Sequence, residues 1–114
     1  MGVAYHANYF VWFEVARCDV LRALGENYRN LEAEGIYLPV VEAHCKFVSP
    51  ARYDDQLNIT TKVNLKSQVR VEFFYKLERG QDQHLLATGR TIHASTDMHG
   101  KPQRLPKRLQ TLLT

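Results

Sequence analysis

His6 and Asn8 stand two residues apart in the opening stretch MGVAYHANYFVWFEVAR, directly ahead of an aromatic-rich helical run. A histidine, with an unperturbed pKa of about 6.5, can donate a hydrogen bond or relay a proton near neutral pH. A helix start adds unpaired backbone N–H groups and a partial positive charge, which suit an oxyanion developing on a carbonyl. Asn8 fits a helix N-cap better than a reacting group. Tyr5 and Tyr9 flank the pair, and each offers either a pocket lining or core packing. Glu14 is the first carboxylate of the chain, and Arg17 follows three residues later, a spacing at which the two can pair. Glu14 also lies about 12 Å along a helix axis from His6, too far to share one reacting centre within a protomer.

The remaining chemistry-bearing residues are dispersed. His44, His84, His93 and His99 show no metal-binding spacing, so no metal is expected. Cys18 and Cys45 form neither a CxxC pair nor a nucleophile motif, and both are expected to be buried and inert. No glycine-rich phosphate loop is present. Lys101, Arg104, Lys107 and Arg108 cluster in HGKPQRLPKRLQ and fit either phosphate contacts or a solvated tail. The formal charge is +3 with a pI near 9.0, yet no motif for nucleic acid accompanies it.

The elements that must position these residues follow from periodicity. Tyr9, Phe13, Ala16, Val20 and Leu24 recur at helical spacing, which predicts a helix from Asn8 to about Leu24 ended by Gly25. NYRNLEAEG allows one or two more turns, ended by Gly35. The period then changes to that of strands. IYLPVVEAHCKFV, QLNITTKVNLK, VRVEFFYKLER and HLLATGRTIHASTDM read as four strands, the last interrupted by Gly89, with SPARYDD as a turn-rich break. PKRLQTLL reads as a short closing helix with Pro106 in its first turn. One long helix and four strands joined mostly by short turns predict an α+β domain, an antiparallel sheet packed on a buried helix. The other sheet face carries many threonines, lysines and arginines and needs solvent or a partner.

The 114 residues fit one domain, 1–114, with 45% hydrophobic and 24% charged residues. No apolar run approaches the roughly 18 residues of a membrane span, and the start lacks the pattern of a secretory signal. These features, with the cysteine usage, predict a reduced, cytoplasmic protein.

GVAYHANYFVWFEVAR, SPARYDDQL and ATGRTIHASTDMHGKPQRLP together resemble the hot-dog-fold acyl-CoA thioesterases. The nearest branch holds 4-hydroxybenzoyl-CoA thioesterase and the short-chain acyl-CoA thioesterases encoded near the Tol–Pal genes. Gly2, His6, Asn8, Tyr9, Glu14, Ala16 and Arg17 carry the likeness in register. The resemblance implies a long central helix wrapped by an antiparallel sheet. It also implies a homodimer or homotetramer with sheets joined edge to edge and active sites at the dimer interface. The substrate would be an acyl-CoA, with coenzyme A part of the substrate and no separate cofactor. The backbone around His6 would polarise the thioester carbonyl, and Tyr5, Asn8 and Tyr9 would face the substrate. Scattered cations, Arg90, Lys101 and Arg104 among them, would meet the phosphates. The resemblance further implies a strand and a catalytic Asp immediately ahead of Met1, so the chain is expected to be short relative to the family and impaired. Glu14 is then the nominal substitute carboxylate. A non-catalytic acyl- or CoA-binding hot-dog module is the alternative.

Overall fold

Helix α1 runs Ala7–Ala23 in a computed structural model that describes residues 7–52 and 54–114. Tyr9, Phe13 and Ala16 bury one face, and the buried stripe then passes to Leu21 rather than to Val20. Asn8 falls inside the first turn, so it does not cap the helix. The chain leaves α1 through Gly25 at φ +82°. There Glu26 N–H donates to the Leu21 carbonyl at 2.8 Å and Gly25 N–H to that of Arg22 at 3.0 Å. This paired closure satisfies carbonyls that the helix end would otherwise leave open. Helix α2, Tyr28–Ala33, starts at Asn27, whose side chain accepts from Asn30 N–H. It ends by the same closure at Gly35, with Leu31 and Ile36 buried beside it.

The strands are β1 (Val40–Phe47), β2 (Leu57–Ser67), β3 (Arg70–Arg79) and β4 (Leu85–Ala94), followed by α3 (Lys107–Leu112). They form one sheet in the order β1-β4-β3-β2, antiparallel throughout. Alternation decides the faces. Val71, Phe73, Tyr75 and Leu77 of β3 pair with His93, Thr91, Gly89 and Ala87 of β4, and this row looks inward at α1. Phe13 stacks on Tyr75 with ring centroids 4.3 Å apart. β4 is continuous through Gly89, where an interruption was expected, because the missing side chain is what admits the Phe13 ring. Leu105, Leu109 and Leu113 close the end of the core, with Pro106 as the N-cap of α3 rather than inside its first turn.

The result is the expected α+β hot-dog arrangement, a long helix against an antiparallel sheet. Both outer strands, β1 and β2, have an edge that no described strand covers. β1 is the more open: Val40, Val41 and Phe47 are each nearly half exposed.

Candidate functional site

Tyr9 anchors the first described turn of α1. Its ring is buried, meets Phe47 edge-on at 4.7 Å and lies 5.1 Å from Trp12. Its hydroxyl accepts a hydrogen bond from Ala51 N–H at 3.2 Å. Phe47 ends β1 and Ala51 follows it, so one tyrosine pins the first helical turn to the end of the open edge strand. Tyr9 is therefore a core residue that positions the site. Asn8 is exposed in that turn. Tyr5 and His6 lie outside the described residues.

Glu14 is exposed between Val11 and Val15, both more than half exposed, and Phe10 widens the same stripe. Its expected pairing with Arg17 does not occur, because Arg17 turns inward. The Arg17 guanidinium donates to the Tyr75 hydroxyl at 3.1 Å, leaving Glu14 on the open side. From Ala7 to Glu14 the helix rises roughly 10 Å, so Glu14 does not reach the first turn of its own protomer.

The structure does not gather the expected phosphate ligands in one place. Arg90 is on the outer face of the sheet, away from α1, 3.7 Å from Glu72. With His44 and Lys46 it lines a shallow groove of about 450 Å³ over β1 and β4. Lys101 belongs to a turn in which its N–H bonds the Asp97 carboxylate at 3.0 Å, and Arg104 is exposed just beyond. Seven strand-like steps separate Arg90 from Asp97, roughly 20 Å. Arg108, from the same basic cluster, is structural: it bridges Glu26 at 2.8 Å and also bonds Glu34, tying α3 to the α2 region. An apolar groove of about 320 Å³ lies between α1 and β2, lined by Trp12, Val15, Val20 and Ile59 among others. None of the expected site residues lines it.

Sequence reasoning missed a buried polar chain. Arg17 Nη1 meets Tyr75 Oη, Tyr75 Oη lies 2.7 Å from Thr91 Oγ1, and Thr91 Oγ1 is 3.0 Å from His93 Nε2. His93 Nδ1 is 2.9 Å from the Leu38 carbonyl, which leads into β1. Because a carbonyl only accepts, Nδ1 carries the proton. Burial pushes the His93 imidazole down to about 4, so the ring is neutral and Nε2 accepts. Thr91 therefore donates to His93, and Tyr75 donates to Thr91. Arg17 Nε and the Tyr28 hydroxyl are buried without a partner among the described residues. Burial raises Tyr28 to about 12, which keeps it protonated beside the cation. The only advance signal was the polar side chains Thr91 and His93 at inward positions of an apolar strand. The cysteines are half-buried rather than buried, and desolvation raises the Cys45 thiol pKa, keeping it protonated.

The family model described as the thioesterase-like superfamily matches residues 1–113. YneP of Bacillus subtilis is 38% identical over 61 residues, which make up 54% of this chain but only 44% of that protein. The acyl-CoA thioester hydrolase YbgC of Escherichia coli O6:H1 is 28% identical over 106 residues, 93% of this chain and 79% of its own. Among solved structures, the DHNA-CoA thioesterase of Staphylococcus aureus is similar at 33% identity and a TM-score of 0.86, covering 94% of this chain and 72% of that one.

Proposed function

The chain belongs to the thioesterase-like superfamily, and we propose on that premise that it hydrolyses an acyl-coenzyme A thioester to the free acid and coenzyme A. The observation that carries the reading is the pinning of the first turn of α1, through Tyr9, against the end of the open strand β1. The thioester oxygen accepts hydrogen bonds from the helix-start N–H groups, which strengthen as the oxygen gains charge. Water adds to the carbonyl carbon while a carboxylate takes its proton. The C–S bond then breaks, and His6 delivers a proton to the departing thiolate. Two protomers joined along β1 close the site, and each helix brings its exposed stripe, Glu14 included, toward the junction. Arg90 takes a phosphate of coenzyme A at the same edge, while Lys101 and Arg104 serve a separate stretch of the surface.

The carboxylate is the point to test. Glu14 is the candidate on the open side of α1, and an Asp carried on a strand ahead of it, as the family resemblance implies, is the other. Thiol release is measured over a panel of acyl-CoA substrates for four proteins. These are this chain, the chain preceded by a strand ending in Asp, Glu14→Gln and His6→Ala. General-base assistance is worth about a hundred- to ten-thousand-fold in rate. A gain of that size on extension assigns the base to the added Asp. A comparable loss in Glu14→Gln with no gain on extension assigns it to Glu14. His6→Ala should lower kcat far more than it raises KM. Tight binding of coenzyme A without thiol release from any of the four would overturn hydrolysis in favour of an acyl- or CoA-binding module.

A further inference from the structure

Apart from Arg90 at its β1 side, the outward face of the sheet is not absorbed by this reading. Register and alternation place Lys46, Lys62, Lys66, Arg70, Lys76 and Arg90 there, against Glu42, Glu72 and Glu78. The whole chain has 15 Lys and Arg against 12 Asp and Glu. Everything outside this face therefore balances at nine of each, and the entire formal charge of +3 resides on one side of the molecule.

The carboxylates only partly neutralise it. Glu72 lies 3.7 Å from both Lys66 and Arg90, and Lys76 is 4.0 Å from Glu78 with more than half its side chain exposed. Cations on alternate strands, such as Lys46 and Lys76 in one cross-strand row, are about 10 Å apart. That spacing is too wide for a single phosphate and suits a plane of distributed negative charge. Ile92, though on this side, is buried at 1%, which leaves Phe74 at 37% as the large apolar side chain in the middle of the face.

We propose that this sheet face docks the protein peripherally on an anionic lipid surface, with α1 and its open edge on the far side, in water. Three features select that occupant. A second copy would bring two faces of net charge +3 together, which repels. A protein partner draws its affinity from buried aromatic or aliphatic anchors, and its interface core is depleted in lysine. Here four of the six cations are lysines, and among the described residues Phe74 is the one aromatic side chain exposed on the face. A headgroup plane asks only for flexible basic side chains at its own depth, which Lys46, Lys62 and Lys76 supply.

The test is co-sedimentation of the full chain with vesicles of mixed phosphatidylglycerol and phosphatidylcholine and with vesicles of phosphatidylcholine alone. The protein should partition at least about tenfold more onto the anionic vesicles and lose that excess between about 0.05 M and about 0.5 M salt. The double reversal Lys62→Glu with Lys76→Glu turns the face net negative and should abolish the excess, with an unchanged circular dichroism spectrum showing that it folds. Added inorganic phosphate at matched ionic strength should not displace the protein. Equal partition onto both vesicles would overturn the proposal. So would displacement by free phosphate, which would mark a small-anion site. Capture by duplex DNA with no vesicle binding would overturn it too.

Discussion

Phe13 of α1 lies so close over Gly89 of β4 that a Cβ on Gly89 would fall 2.4 Å from the ring carbon Cε2 and 2.6 Å from Cζ. The ring has nowhere to go, since it is fully buried and stacked on Tyr75. This contact sets the depth at which the helix sits on the sheet, and with it the position of the first turn beside β1.

Gly89→Ala should therefore cost about 1–3 kcal/mol in urea denaturation, the usual range for an overpacked core. Shortening the opposing side chain, Phe13→Leu, should remove most of that increment. An equal cost of the alanine in both backgrounds would place the strain elsewhere in β4.

His93 ties stability to pH. Its folded value of about 4 lies below the ordinary value of about 6.5, so between the two the unfolded chain binds more protons. The contribution is complete above about pH 6.5 and is lost as pH falls toward 4, by up to about 1.4 kcal/mol per pH unit. His93→Gln should flatten that part of the stability–pH curve relative to the parent protein. Parallel curves for the two would mean that carboxylates alone set the slope.

Thr91→Val keeps the shape and removes the middle of the polar chain. The Tyr75 hydroxyl loses its acceptor and His93 Nε2 its donor. Leaving a buried polar group without its partner costs about 1–3 kcal/mol. The loss should appear as a lower denaturation midpoint at an unchanged m-value. A neutral substitution would show that water fills the gap.

The proposed assembly along β1 has its own readout. Sedimentation at micromolar concentration should give a dimer or a multiple of one, and Val41→Lys, on the exposed edge strand, should shift it toward monomer with a loss of turnover. A fully active monomeric parent would separate catalysis from the edge.

The elements were largely legible in the sequence because each obeyed its own period. Gly25 and Gly35 marked helix ends that the structure closes with two hydrogen bonds each, and the alternation from Val71 to Leu77 gave the inner face of β3 directly. The site was less legible. Arg17 looked like a surface partner for Glu14 because spacing along a helix says nothing about what lies beneath it. Its burial depends on Tyr75, 58 residues later in the chain. Gly89 looked like a break because the sequence does not show that another side chain enters its empty position. Arg90 and Lys101 are near in sequence, but an extended strand carries them apart. His6 and Tyr5 fall outside the described residues, so their roles rest on the resemblance alone.

For the acyl-CoA hydrolysis proposed above, the lopsided charge also bears on how the substrate arrives. With the whole formal net charge of +3 on one side, the molecule is an electric dipole whose positive end points away from α1. In protein free of a lipid surface, an anionic substrate that comes within a Debye length is steered to that end first, the side opposite the helix start. In the proposed dimer, capture and reaction would then fall on opposite faces of one thin sheet, with the joined β1 strands between them. An edge strand that looks unfinished in a single protomer would be, for such a substrate, the wall that separates the two.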